Sequence, residues 1–351
     1  KGTEDNRVRK LDYSIQLSEL FYQRFIDNQE ISLFSPHDVP GLYESFGTDQ
    51  FDELYCSYEL DESIPRTTIN AQELILELLK ERAETGRIYI MNIDHCNSHS
   101  SFLDKVEMSN LCQEITLPTK PIQHIDDSEG EIALCILSAI NIGKIRGVDD
   151  LEELCDLSVR SLDELIDFQG YPVNAAEIAT KARRSLGIGF IGLAHYFAKQ
   201  GVKYDDPEAW KLVHDLTEVF QFNLIKSTVN LAKEKGACTY SDRTKYAQGI
   251  LPIDTYKKDV DGIVPNELKC DWELLREEVK QYGVRNSTLS AQMPSESSSV
   301  VCNATNGIEP PRGYLSVKKS KKGPLKQIVP SYGTLKNNYT LLWDMPNNTG
   351  Y

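Results

Sequence analysis

The amino-acid sequence predicts an α/β fold with a largely parallel sheet. Amphipathic helix patterns alternate with short apolar runs along the chain, and polar loops separate them. The 351 residues contain no internal repeat and no Pro/Gly/Ser-rich linker long enough to separate two domains, which favours one large domain over residues 1–351. In folds of this class the functional side chains gather at the carboxyl ends of the strands, so a site is expected there.

The first well-marked helix pattern follows Thr67, a residue type that caps helix N-termini. Leu74, Ile75 and Leu78 fall on one face of this pattern, and Gly86 provides a stop. The next seven residues, RIYIMNI, form an apolar run of strand length. The sequence therefore predicts a helix from Thr67 to Gly86 and, directly after it, a buried strand.

The same alternation continues along the chain. Strand patterns cover residues 132–137 (IALCIL), 186–193 (LGIGFIGL) and 288–293 (TLSAQM). An acidic helix pattern begins at Asp149, and a further helix has Pro207 in its first turn and ends at Gly236. The segment SESSSVVCNA, after Pro294, is typical of a helix start.

The composition is that of an acidic, folded protein. Its 53 acidic and 38 basic residues give a formal charge of −15, with 40% apolar and 26% charged residues. A negative surface disfavours binding to nucleic acid or anionic membranes, and no apolar run reaches the ~20 residues of a membrane-spanning helix. Eight dispersed cysteines without a CxxC pair are typical of a reducing, cytoplasmic compartment. The start, KGTEDNRVRKLDYS, has no initiator Met and no signal core, which predicts the interior of a longer chain.

Residues 109–115, SNLCQEI, form the most informative short segment. It has no helical period, and in an extended conformation Asn110, Cys112 and Glu114 point to the same side. A thiol that exchanges hydrogen, a carboxylate that accepts a hydroxyl proton and an amide that orients a second oxygen suit chemistry on a polyol. The alternative is a solvated edge strand with an incidental cysteine, and the residues alone leave both interpretations open.

Cys135 and a serine-rich segment are two further candidates. Cys135 lies inside the apolar run 132–137, where a buried apolar cysteine is the simpler interpretation unless a second cysteine faces it. Residues 293–300, MPSESSSV, place small hydroxyl residues between a strand and a helix, where free N–H groups and hydroxyls can bind phosphate. This segment has no Gly-Lys pair, so it is not a Walker P-loop. The serines could equally be simple helix caps.

Three other segments lack the context that their chemistry requires. Residues 187–192 match GxGxxG, but no acidic ribose ligand is evident about 20 residues later, so dinucleotide binding is not expected. Residues 94–99 (DHCNSH) lack the spacing of a zinc site, which predicts hydrogen-bonded loop residues and no metal. The basic run 318–322 is better explained by a solvated hairpin tip than by a nucleic-acid site.

Together these segments resemble the large, catalytic subunit of class Ia ribonucleotide reductase, of the bacterial and phage type. The resemblance runs essentially from end to end, and long segments carry it in the same order, among them TGRIYIMNIDHCN, SNLCQEI, GEIALCILSAINIG, RNSTLSAQMPSESSS and NATNGIEPPRGY. It implies that the chain is a portion of a ten-stranded α/β barrel, built from two five-stranded halves around a central finger loop.

The resemblance also implies catalytic roles. SNLCQEI matches the finger loop, so Cys112 would be the cysteine that becomes a thiyl radical. Glu114 would then be the base for the ribose 3′-hydroxyl, and Asn110 the amide that positions the ribose hydroxyls. The apolar run 132–137 matches the strand that carries one of the two substrate-reducing cysteines, which gives that role to Cys135.

A substrate site follows from the same resemblance. MPSESSS matches the diphosphate site, which implies substrate contacts from five residues: Ser295, Glu296, Ser297, Ser298 and Ser299. The implied activity is reduction of ribonucleoside diphosphates to deoxyribonucleoside diphosphates.

The implied partners lie outside this chain. A small subunit with a dimetal centre would supply the radical, and thioredoxin or glutaredoxin would supply electrons. No cofactor is expected on the chain itself, because the family places its ATP and dNTP effector sites, and its second reducing cysteine, before the point that matches Lys1. A fragment or split-gene product that needs its missing half is thus expected, and the alternative is a non-catalytic association fragment.

Overall fold

The computed structural model describes residues 11–264, 267–320 and 323–341, with only the backbone of residue 320. Helices and strands alternate within two compact units, Lys1–Pro118 and Thr119–Tyr351. The α/β class is therefore confirmed, whereas the organisation of residues 1–351 as one domain stays a prediction. In the described ranges the strands form four two-stranded sheets, two of them parallel.

The first unit packs helices against one parallel and one antiparallel pair of strands. Strands β1 and β4 are parallel, and β2 and β3 are antiparallel. Its core forms where α1 and α4 pack on β1, around Leu17, Phe21 and Ile75. The elements are β1 (Tyr13–Leu17), α1 (Glu19–Ile26), β2 (Glu30–Phe34), α2 (Leu42–Ser45), α3 (Phe51–Leu60), β3 (Arg66–Asn70), α4 (Ala71–Thr85), β4 (Ile88–Asn92) and α5 (Ile93–His99).

The second unit contains the longer helices and the larger core. Its elements are β5 (Leu137–Asn141), α6 (Asp150–Phe168), α7 (Asn174–Arg183), β6 (Gly187–Ile191), α8 (Leu193–Gln200), α9 (Pro207–Lys235), α10 (Pro252–Thr255), α11 (Trp272–Tyr282), α12 (Glu296–Cys302), β7 (Leu315–Ser320), β8 (Gly323–Ile328) and α13 (Tyr332–Leu335). The apolar faces of α6, α9 and α11 bury Val159, Leu224 and Leu275 in one cluster with β5 and β6. The predicted helices α6 and α9 are confirmed almost to the residue.

Three parallel segments organise this unit. β5 pairs with β6, and residues 288–291 run along the other side of β6 through a bridge between Ile188 and Ser290. The approach is close, because a Cβ on Gly189 would lie 2.3 Å from the carbonyl oxygen of Ala291. Gly192 adopts φ +87° at the start of α8. Gly189 and Gly192 of the GxGxxG match thus have structural roles in this unit.

A buried ion network holds the start of β6. The Arg184 side chain donates to both the carboxylate and the backbone carbonyl of Asp163 on α6, which is fully buried. Asn286 donates to the same carboxylate and to the backbone carbonyl of Arg184. Because a buried carboxylate requires such partners, the network fixes α6, β6 and the segment before residue 288 relative to one another.

Two local predictions in the first unit are wrong. The helix α4 begins after Asn70 rather than Thr67, because the Asn70 side chain accepts from the N–H groups of Gln72 and Glu73. Thr67 instead pairs with Leu33 in the antiparallel ladder of β2 and β3, which the sequence pattern did not indicate. Residues 94–99 are not a loop, because they form the helix α5. The stop at Gly86 and the strand β4 are confirmed, but β4 is mostly half-buried, and Met91 is its one buried residue.

The basic run lies on a β-hairpin, as predicted. β7 and β8 pair antiparallel from Leu315↔Ile328 to Ser320↔Gly323. Residues 318–320 of the predicted tip lie in the strand β7, and Lys321 and Lys322 lie outside the described residues. No helix in the described ranges combines the length and apolar character needed to cross a membrane, and no group of three potential metal ligands occurs there.

His195 on α8 gives the second unit a predicted pH dependence. Its ring is buried against Gly143, and burial, together with Lys144 and Lys199, lowers its pKa to about 4. The unfolded chain therefore binds a proton at higher pH than the folded chain, so stability falls as the pH decreases from about 6.5 towards 4.

Because of this histidine, we expect the free energy of unfolding to fall by about 1 kcal/mol when the pH decreases from 7 to 5.5. Thermal melting of the full-length protein across this pH range checks the prediction. His195→Gln should show a flatter melting temperature between these pH values, and an unchanged slope would contradict the assignment.

Candidate active site

The segment that carries Cys112 is a turn at the tip of a loop in the first unit. An antiparallel bridge joins Ser109 and Thr116, and the Gln113 N–H donates to the backbone carbonyl of Asn110 at 3.1 Å. Gln113 adopts φ +59°, in the left-handed region. The predicted extended conformation is therefore wrong, because the bridge leaves only six residues in which the chain must reverse.

Side chains at both ends of the turn hold this loop. The Asn110 Oδ1 accepts from the Ile115 N–H at 3.4 Å, and the Ser109 hydroxyl donates to the Ile115 carbonyl at 3.0 Å. The Gln113 amide donates to the Ser14 hydroxyl on β1. The loop is thus anchored on the sheet of the first unit, and Cys112 is exposed at its tip.

Cys112 and Glu114 interact even though the chain between them is turned. Partial desolvation and the carboxylates of Glu114 and Asp12 raise the pKa of the Cys112 thiol. The Glu114 Oε2 is buried and has no hydrogen-bond partner within the described residues. Because an unpartnered buried carboxylate oxygen is costly, this atom is suited to accept a hydrogen bond from a ligand. The Asn110 Oδ1 is used within the loop, which leaves its amide N–H groups for a ligand.

Cys135 lies in the second unit, just before β5 rather than within a strand. The ladder with β6 begins only at Leu137, and five residues earlier the Ile132 N–H donates to the Ala175 carbonyl on α7. Cys135 is half-buried, so it is not the fully buried apolar cysteine that was the simpler interpretation of the sequence. None of the eight cysteines, all within the described ranges, forms a disulfide.

The predicted helix start after Pro294 is confirmed, and within the described part of the chain its first N–H groups have no hydrogen-bond partner. The first intrahelical hydrogen bond of α12 runs from the Ser299 N–H to the Ser295 carbonyl at 2.8 Å. The N–H groups of Glu296, Ser297 and Ser298 precede that bond and have no intrahelical partner.

The serine hydroxyls of this segment have distinct uses. Those of Ser298 and Ser299 donate to the Ser295 carbonyl, and the Ser295 hydroxyl donates to the Asn306 side chain. Ser295 therefore does not cap the helix with its side chain. Ser297 is exposed and is the serine best placed to donate to a ligand.

Sequence reasoning missed the loop that supports this helix. Residues 304–307 accept from the end of β6, through Gly192 N–H to Thr305 and Leu193 N–H to Gly307. Asn306 then holds Ser295. The Asn306-Gly307 pair, a common turn signal, was the available indication that the chain returns here.

Comparisons of the sequence with known proteins identify the family of this chain. The family model "Ribonucleotide reductase, barrel domain" matches residues 1–345. Over its full length the chain is 59% identical to ribonucleoside-diphosphate reductase subunit alpha of Haemophilus influenzae, and 54% identical to ribonucleoside-diphosphate reductase 1 subunit alpha of Escherichia coli. In both cases it covers 47% of the relative.

A phage protein is also similar. The subunit alpha of Enterobacteria phage T4 is 45% identical over 98% of this chain and 46% of its own length. The chain thus spans about half the length of the curated relatives it matches. Because the family model matches nearly every residue, the chain belongs to the ribonucleotide reductase barrel-domain family.

Proposed function

We propose that the protein to which this chain contributes reduces ribonucleoside diphosphates, by removing the 2′-hydroxyl through a thiyl radical on Cys112. The observation that carries the proposal is the turn at residues 110–114, where an exposed thiol lies beside a carboxylate with an unpartnered buried oxygen. The relatives are named as ribonucleoside-diphosphate reductases, which supports this substrate class.

The raised pKa of Cys112 suits hydrogen-atom chemistry. A thiol carries the hydrogen that must be exchanged with the substrate, whereas a thiolate carries none. Desolvation and the two neighbouring carboxylates keep the group protonated at neutral pH. Cys112 is therefore suited to form a thiyl radical when it loses a hydrogen atom and to return a hydrogen at the end of the cycle.

The proposed reaction couples loss of the ribose 2′-hydroxyl to the oxidation of two thiols. The Cys112 thiyl takes the hydrogen from C3′, and Glu114 accepts the 3′-hydroxyl proton while the Asn110 amide orients the ribose hydroxyls. Cys135 and a second cysteine, on a segment outside this chain, provide two electrons and two protons and become a disulfide. One of these protons leaves with the 2′-hydroxyl as water, and the other becomes the new hydrogen on C2′. Cys112 then returns hydrogen to C3′ and is again a thiyl radical, and Glu114 returns its proton to the 3′-oxygen.

We place the diphosphate at the start of α12. The free N–H groups of Glu296, Ser297 and Ser298 can donate to phosphate oxygens, and the Ser297 hydroxyl adds a donor. Ser295, Ser298 and Ser299 act indirectly, because their hydroxyls hold the turn that exposes those N–H groups.

Partners complete the proposed reaction. The name "subunit alpha" implies a second kind of subunit, and we propose a radical-generating small subunit with a dimetal centre. Thioredoxin or glutaredoxin would reduce the disulfide. Effector sites for ATP and dNTPs belong to other parts of the subunit. A cytoplasmic location fits this chemistry, because the reducing cysteines must be kept as thiols. Co-expression with the remaining half of the subunit, followed by an activity assay, separates this function from that of a non-catalytic association fragment.

Glu114→Gln in the full-length subunit tests the proposed base. The amide keeps the shape of the side chain but cannot accept a proton, so we expect kcat to fall by about 10²–10⁴ with little change in KM. Steady-state kinetics with the small subunit provide the measurement. Glu107→Gln is the matched control, because Glu107 is on the same loop and pairs with Lys105. Near-normal kcat for Glu114→Gln, or an equal loss in the control, would contradict the role.

A further inference from the structure

We propose that Lys318 on β7 is a positioning residue for the diphosphate site: it holds the Glu296 carboxylate and cancels its charge, so that a diphosphate can bind beside it. The inference rests on the proposed diphosphate role of residues 295–299. By this proposal, the hairpin of β7 and β8 helps the start of α12 to bind ligands that carry a diphosphate.

The need for such a residue arises from Glu296 itself. It is the first residue of α12, so its carboxylate lies beside the N–H groups that would bind the ligand. A negative side chain at a helix start is favourable for the helix, but it repels an incoming anion. A diphosphate would therefore meet an opposing charge unless a cation neutralises Glu296.

Lys318 provides that cation. Its Nζ lies 3.2 Å from the Glu296 Oε2, and the two side chains are 36% and 67% exposed. An ion pair this exposed contributes little to the stability of the fold. The pair is therefore not important for folding. Its main consequence is that it neutralises negative charge at the start of α12.

The register of the hairpin directs Lys318 towards α12. Ser316 pairs with Gln327, so Lys318, two residues further along β7, lies on the same face as both. The Gln327 amide donates to the Ala304 carbonyl at 2.9 Å, just after α12 ends. This face is therefore attached near the end of α12 through Gln327 and at its start through Lys318. Lys319 falls on the opposite face.

A polar cavity adjoins the ion pair. It has a volume of about 510 Å³, and Glu296, Lys318 and Thr305 are among the residues that line it. Thr305 is only 5% exposed, and its hydroxyl oxygen has no hydrogen-bond partner within the described residues. A buried hydroxyl without a partner indicates a polar occupant, such as a phosphate oxygen or a water bound to it.

The test compares Lys318→Met with Lys319→Met in the full-length subunit, assayed with its small subunit. Both variants remove one positive charge from β7, but only the first leaves Glu296 without its partner. We expect Lys318→Met to raise the KM for cytidine diphosphate by about tenfold with little change in kcat. Lys319→Met should stay within about twofold of wild type, and neither variant should change the dissociation constant of cytidine.

Rescue distinguishes charge compensation from a structural role. Adding Glu296→Gln to Lys318→Met removes the uncompensated carboxylate, so the KM should return to within about threefold of wild type. Lys318→Arg keeps the charge and should stay within the same range, which keeps the test valid if Lys318→Met folds poorly.

Several results would overturn the inference. An equal rise in KM for Lys318→Met and Lys319→Met would mean that only the overall charge matters. Failure of Glu296→Gln to rescue, or an equal loss for cytidine, would mean that Lys318 acts in another way. A wild-type protein that binds cytidine as tightly as cytidine diphosphate would instead overturn the proposed diphosphate site.

Discussion

Cys112→Ser in the full-length subunit reduces ribonucleotide turnover by at least about a thousandfold, which corresponds to about 4 kcal/mol or more in the barrier. An alcohol O–H bond is stronger than a thiol S–H bond, so serine cannot readily form the radical that removes the C3′ hydrogen. The side chain is exposed at the tip of the loop and similar in size to serine, so ligand binding should remain nearly intact. Steady-state turnover and equilibrium binding of a ribonucleoside diphosphate are the two measurements.

Cys56→Ser is the control for this substitution. Cys56 lies on α3 in the same unit and contacts Arg24, away from the loop. We expect it to keep turnover near the wild-type value. Substantial turnover by Cys112→Ser would mean that the loop has been assigned wrongly, and the radical thiol would have to be another cysteine.

Cys135→Ser also stops turnover, but at a later step. Hydrogen abstraction by Cys112 does not require Cys135, whereas loss of the 2′-hydroxyl must be followed by reduction of the substrate radical. We expect multiple turnover to fall by about a thousandfold or more, while radical formation on the substrate still occurs. Electron paramagnetic resonance after mixing with the small subunit and substrate would detect that radical.

Cys155→Ser is the control that distinguishes a reducing cysteine from a cysteine that only packs in the apolar core. Cys155 is fully buried in the core of the second unit, so its replacement should lower the melting temperature and spare chemistry in the folded protein. If Cys135→Ser behaves in the same way, Cys135 is a packing residue and the second reducing role must be reassigned.

The hydrophobic pattern predicted best those elements that are encoded by a continuous apolar stripe or run. The helices α6 and α9 and the strand β4 match the predicted segments closely, because a continuous apolar stripe or run determines each of them. The start of α4 was missed by three residues, since both Thr67 and Asn70 are good caps and only the pairing of Thr67 with Leu33 decides between them.

The roles of the candidate site residues stay predictions, whereas the local geometry of two of the three segments differs from the predicted one. The alternation argument for residues 109–115 failed because a bridge between Ser109 and Thr116 imposes a turn, and such a contact has no local signature. The β5 strand begins at Leu137 for a similar reason, since its partner in β6 determines where pairing starts. The serine hydroxyls donate to the Ser295 carbonyl and to the Asn306 side chain. These partners could not be predicted from the run of serines alone.

Cleavage of the C3′–H bond of the substrate is the central claim of the mechanism, and a competitive isotope experiment tests it directly. The full-length subunit and its small subunit would be given a ribonucleoside diphosphate with a trace of tritium at C3′. If a Cys112 thiyl removes this hydrogen in a step that limits kcat/KM, molecules with tritium react more slowly, and the unreacted substrate becomes enriched in tritium as conversion proceeds. Unreacted substrate with constant specific radioactivity up to high conversion would contradict the mechanism.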